Sequence, residues 1–191
     1  MKTWSLVALA SVPIALTAGV LALAGAAPAD EHPANFTGGH EIGRNDLGRP
    51  CVLIAAALGV KTEVFREAFR GVSPAKGRGP SGEEARKNKD ALLKVLAPYG
   101  VTNERLDEVS NYYRFNPQDG ELWKHQAAKA HAVVEAGKLK SVVIDDPGAG
   151  YSTPPKVTFR GFEKVEFLVT LRFDEDLSKN GSIRSIAVKT R

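Results

Sequence analysis

The spacing of apolar residues changes once along this chain, near Gly137, and that change limits the folds open to it. Before it, apolar side chains recur at three and four residues, as in a helix with one buried face. After it they gather in short Val-, Ile- and Phe-rich runs separated by Gly, Pro, Asn and Asp, the mark of strands and turns. Helices first and strands second is the order of an α+β chain rather than of alternating βαβ units.

The helical stretch opens at Pro50. Cys51 to Leu58 is apolar all round and ends at Gly59, which predicts a buried helix. Thr62 is expected to cap a second helix, with Val64, Phe65, Ala68, Phe69 and Val72 inward and Glu63, Arg66, Glu67 and Arg70 in water. A loop from Ser73 to Pro80 leads to Ser81 and Glu84, a capping box opening a third helix that Gly100 stops. Gly59, Val60, Glu63, Phe65 and Ala68 recur as Gly100, Val101, Glu104, Leu106 and Val109, giving two helix–Gly–Val–helix units. The fourth helix is expected from about Asn103 to Tyr113. A polar loop from Arg114 to Gly120 follows, then a short helical stretch between Leu122 and Ala136.

Strands are expected at Leu139–Ile144, Lys156–Phe159, Val165–Phe173 and Ile183–Val188, and the segment from Gly137 to Ile144 is echoed from Gly181 to Val188. The expected fold is therefore α+β: an N-terminal pair of αα-hairpins (49–136) followed by a small, mainly antiparallel four-stranded sheet (137–191).

Ahead of these parts, Met1 and Lys2 precede an uncharged apolar stretch that ends in Ala27, Pro28 and Ala29. This pattern predicts a signal peptide over 1–29, cleaved before Asp30. An uncleaved anchor is the alternative, because about 20 apolar residues span a bilayer; Ser11, Pro13, Thr17 and Gly19 weaken it. Either way the body is expected outside the cytoplasm, periplasmic or secreted, with membrane contact only if the segment is retained. Residues 30–48 are polar, Gly-rich and aperiodic, and are expected to form a flexible mature N-terminus. Removing 1–29 takes one Lys from the 26 basic residues and none of the 22 acids, leaving a net charge of +3. That is too mild for a nucleic-acid partner. Cys51 is the only cysteine, so the chain has no internal disulfide, and its apolar surroundings make it a small buried hydrophobe.

The segment Gly148 to Thr158, with Gly148, Gly150, Tyr151, Pro154 and Pro155, resembles the Gly-x-Gly-Tyr β-hairpin repeats of exported bacterial and phage-tail proteins. That resemblance implies a structural or adhesive role. Gly38, Gly39, His40 and Glu41, with the run from Gly100 to Tyr113, also resemble a group of uncharacterised exported proteins of planctomycete-type bacteria. This second resemblance implies export and no particular mechanism.

Chemistry-bearing residues are sparse. His40, Glu41 and Asp46 form the most suggestive polar cluster, and Tyr112, Tyr113, Phe115 and Trp123 concentrate aromatic rings at the junction of the two parts. Exposed, the rings would stack on sugars; buried, they would join helices to sheet. His125 and His131 are six apart, which places them on different faces of a helix, and neither they nor His40 have zinc-motif spacing. Asp174, Asp176, Ser178 and Asn180 alternate as in a calcium loop, yet Lys179 and Ser185 stand where that loop needs Gly and Glu. Leu58, Gly59 and Val60 resemble a helix-turn-helix turn without a basic face beside it. The Lys76 and Arg78 stretch lacks the order of a nucleotide loop.

No metal set, cofactor or catalytic framework is expected. The leading expectation is a non-enzymatic exported interaction or structural module with a protein or cell-envelope partner. The alternative is an extracytoplasmic metal- or glycan-binding protein, or an enzyme, using His40, Glu41 and Asp46 with Tyr112, Tyr113 and Trp123 as ligand-binding residues.

Overall fold

The computed structural model describes residues 30–73 and 80–189. The expected signal peptide and the Lys76 and Arg78 stretch lie outside the described residues. The elements are β1 (Asp30–Thr37), α1 (Cys51–Ala57), α2 (Thr62–Arg70), α3 (Gly82–Leu96), α4 (Asn103–Tyr112), β2 (Lys129–Glu135), β3 (Lys138–Asp146), β4 (Lys156–Phe159), β5 (Phe167–Arg172) and β6 (Ser182–Val188). The architecture is mixed α+β. Among the described residues four α-helices accompany an antiparallel sheet of order β3-β2-β1-β4, and β5 and β6 pair separately.

The helices form for local reasons that packing reinforces. Ser81 and Glu84 make the expected capping box: the Glu84 backbone N–H donates to Ser81 Oγ (3.2 Å), and the Ser81 N–H donates to Glu84 Oε2 (2.8 Å). Thr102 Oγ1 accepts from the Arg105 N–H at the start of α4. Thr62 is the first residue of α2 rather than its cap; Lys61 holds the cap position without a side-chain bond. Leu53, Ile54, Phe65, Leu96, Leu106 and Val109 form the centre of the helical core. Within it α2 packs against both α1 and α3, while α3 barely meets α4. A single ion pair, Lys89 to Asp107 (2.7 Å), bridges the gap.

Three expectations change in the β half. Residues 30–48 are not a free arm, because β1 lies inside the sheet. Its first half pairs with β2 (Glu31 opposite Val133) and its second half with β4 (Phe36 opposite Val157). Pro33, which has no N–H to give a ladder, sits where the strand changes partner, so one of its sides is free. The helical stretch expected between Leu122 and Ala136 is instead a non-helical segment leading into β2, whose Ala130, Ala132 and Val134 face inward. Ala is the best helix former, and here tertiary pairing overrides that preference.

The turn after β2 explains why the hairpin was hidden. Ala136 and Gly137 both have positive φ (49° and 73°), as a two-residue hairpin turn demands, yet Ala stands where Asn or Asp usually announces such a turn. The Gly-Tyr segment is not a hairpin either. It connects β3 to β4, which lie at opposite edges of the sheet.

Tyr151, Val157, Phe159, Val169 and Ile183 form a second core under the sheet and the β5–β6 pair. No helix among the described residues is long and apolar enough to cross a membrane.

Candidate functional site

The expected site residues do not gather at one place: His40 packs against Trp123, while Glu41 and Asp46 turn to other partners. The segment after β1 folds back onto the Gly-Tyr connection. Gly39 O accepts from the Ser152 N–H (2.9 Å), Glu41 O accepts from Ser152 Oγ (2.8 Å), and the Glu41 carboxylate takes the Gly39 N–H and the Thr153 hydroxyl. These bonds, that of Thr153 foremost, hold the Glu41 carboxyl below its ordinary value.

Asp46 turns the other way. It is buried, its Oδ1 meets Arg66 Nε at 2.6 Å, and its Oδ2 accepts the Gly43 N–H. The pair ties the loop before α1 to α2. His40, Glu41 and Asp46 are therefore neighbours in sequence with separate structural duties.

His40 enters an aromatic cluster, its ring centroid 4.7 Å from that of His125, 5.1 Å from Tyr151 and 5.8 Å from Trp123. Its Nε2 is buried without a hydrogen-bond partner. Burial first, and the neighbouring His125 second, lower its pKa, so the ring stays neutral. His125 contacts the Trp123 carbonyl through Nδ1 (2.9 Å). Two imidazoles are a thin ligand set, and among the described residues no group of three or more His, Cys, Asp or Glu side chains is placed to hold a metal ion.

The aromatic residues join helices to sheet. Trp123 is fully buried; its indole N–H donates to Gly150 O (2.8 Å), and Phe115 meets it edge-on. Tyr113 is equally buried, and its hydroxyl accepts from Asn180 Nδ2 (2.9 Å). Asn180 also donates to Leu53 O (2.7 Å) and accepts the Asp174 N–H, so the would-be calcium loop is spent on a connection to α1. Gly181 follows with φ of 69°; a Cβ there would come within 2.6 Å of Leu53 and closer still to the Tyr151 backbone, so only Gly lets the β6 entry approach this close. Tyr112 is half-buried beneath the Lys124 ammonium. The clefts lined by Phe65 and Leu106, by His131 and Asp145, and by Asp146 and Arg184 do not include His40, Glu41, Tyr112 or Trp123. Cys51 is buried too, and desolvation pushes its thiol up to about 12, which leaves it inert.

One of these spaces is the gap between α3 and α4. It is a cleft of about 380 Å³, within the usual range of small-molecule sites. Phe65, Phe69, Val72, Leu92 and Leu106 supply apolar wall, and Tyr113 is the only expected site residue that reaches it. Two arginines also line it. Arg49 lies just before α1, its guanidinium over the Phe115 ring, and Arg114 lies just past the end of α4. Burial, then the charge of Arg114, lowers the Arg49 pKa.

Sequence reasoning passed over both arginines because each stands singly in a loop. Only the fold brings 49 and 114 to one cleft. Comparison with protein-family models, with curated proteins and with solved structures finds no match.

Proposed function

We propose that this protein is an extracytoplasmic, non-enzymatic binding module that holds a small apolar ligand between α3 and α4. One observation carries the reading: a cleft of about 380 Å³ whose wall is formed by Phe65, Phe69, Val72, Leu92 and Leu106. A buried floor of Phe65 and Leu106 beside half-buried Phe69 and Leu92 favours a ligand that shields it from water. In this reading the two helix–Gly–Val–helix units are a pair of αα-hairpins whose second member has opened, α3 moving onto α2, and the cleft is the space so vacated. The signal-peptide pattern supports export, and the partner is a lipid-like molecule of the cell envelope rather than nucleic acid.

The metal- or glycan-binding alternative loses its support at Asp46 and Glu41, whose carboxylates are engaged by Arg66 and by Gly39 and Thr153. The test is titration with Nile red, an uncharged apolar dye. Saturable, blue-shifted emission is expected, and Ser110→Trp, which fills the cleft from the exposed side of α4, is expected to abolish it. A dye signal that survives Ser110→Trp, or no signal at all, overturns the proposal.

A further inference from the structure

We infer that the cleft ligand is an anionic amphiphile, an alkyl chain ending in an oxyanion head that Arg49 and Arg114 clamp together. This rests on the cleft being the binding site and adds the chemistry of what it binds. The two guanidiniums are the reason. None of the ion pairs among the described residues includes either of them: Arg66 is taken by Asp46, Arg105 by Glu108, and Arg172 by Asp174. The stretch 74–79 contains no acid that would supply a counter-charge.

Like charges brought together in a partly apolar setting repel, and burial raises the cost of Arg49. Arg49 is also the more buried of the two, its neighbours being the Phe115 ring and the apolar wall. The negative end of α4 offsets part of the repulsion beside Arg114 without satisfying the donors of either guanidinium. A carboxylate or phosphate fills that role, because its oxygens match the planar fork of arginine in pairs.

The rest of the cleft fixes the body of the ligand. Its other cation, Lys89, is already neutralised by Asp107 at 2.7 Å. Asp107 lies about 10 Å along the α4 axis from Arg114, at 1.5 Å per residue. The cleft thus has uncompensated positive charge at one place only, with Phe65, Phe69, Leu92 and Leu106 lining the remainder. Such polarity selects a molecule with one charged end and an apolar remainder, and gives little purchase to a free inorganic anion.

Displacement of Nile red from the purified protein tests this. Dodecanoate and dodecyl phosphate are compared with dodecanol and with dodecyltrimethylammonium, which share the chain and differ in the head; the first two separate a carboxylate from a phosphate source. At least one anion is expected to displace the dye about tenfold or more better than dodecanol, the ratio a single charge-assisted hydrogen bond supplies. Arg114→Gln, on an exposed side chain, is expected to shrink that ratio toward one, and Arg49→Met to do the same. Dye binding with no preference for anions overturns the inference and leaves the cleft reading in place. Anion binding that Ser110→Trp does not disturb places the anion elsewhere and overturns the inference as well. No binding of dye or amphiphile overturns both.

Discussion

The junction around Trp123 and the cleft beside α3 are built from similar side chains, aromatic rings beside polar groups, and they differ in what those groups leave unmet. At the junction the indole N–H, the Tyr113 hydroxyl and three of the Asn180 hydrogen-bonding sites are all paired. At the cleft, among the described residues, neither Arg49, whose guanidinium lies over the Phe115 ring, nor Arg114 is in an ion pair, and the one carboxylate there, Asp107, is held by Lys89. A polar group satisfied within the chain holds the chain together; one left over at a concave surface points outward to something that must arrive.

Substitutions separate the two cases by sign as well as by size. Trp123→Ala removes a fully buried ring and its bond to Gly150, and is expected to lower stability by about 3–5 kcal/mol, read as urea midpoint with an unchanged slope. A loss under about 1 kcal/mol would mean that the junction is not what ties helices to sheet.

Arg49→Met is expected to do the opposite. It removes an uncompensated, partly buried charge and keeps the apolar stem, so the free protein should gain on the order of 1 kcal/mol while losing its discrimination for anions. A clear loss of stability would mean that Arg49 has a partner inside the chain and belongs with the junction.

The smallest effect concerns pH. His40 is held neutral by burial and by His125, so its folded pKa lies below the ordinary 6.5. The unfolded chain then binds the proton more readily. Stability linked to His40 is present in full above 6.5 and is lost as pH falls through the lowered value. Melting temperature should fall between about pH 7 and 5 by less in His40→Phe than in the parent. Equal falls would assign the pH dependence to other groups, and His131 would not explain it, because its raised pKa acts with the reverse sign.

The four helices were legible in the sequence one by one because each signal was local: the Ser81 and Glu84 box, Gly100 after α3, and the apolar spacing of α2 all act within a few residues of one another. Their pairing into two αα-hairpins was not, since α3 packs on α2 and barely meets α4. The sheet was half legible. β3, β4, β5 and β6 are rich in Val, Ile and Phe, whereas β1 presents only Ala34 and Phe36 as apolar inward residues and β2 is alanine-rich, so neither carries strand propensity of its own. The candidate site was the least legible. The segment from His40 to Asp46 drew notice because its polar residues are adjacent along the chain, while Arg49 and Arg114 become neighbours only through the packing of α1 and α4.

The placement of β1 also sets the order in which the molecule can assemble. It precedes the other described strands in the chain and is an interior strand of the sheet, with Glu31 waiting for Val133 and Phe36 for Val157. A stretch of about a hundred residues must be made before either partner exists. Sheet closure is therefore a late, long-loop event, slow by the topology that dictates it. Until then β1 has no partner, while the helices, the β2–β3 hairpin and the β5–β6 pair, whose contacts are near in sequence, are free to form early.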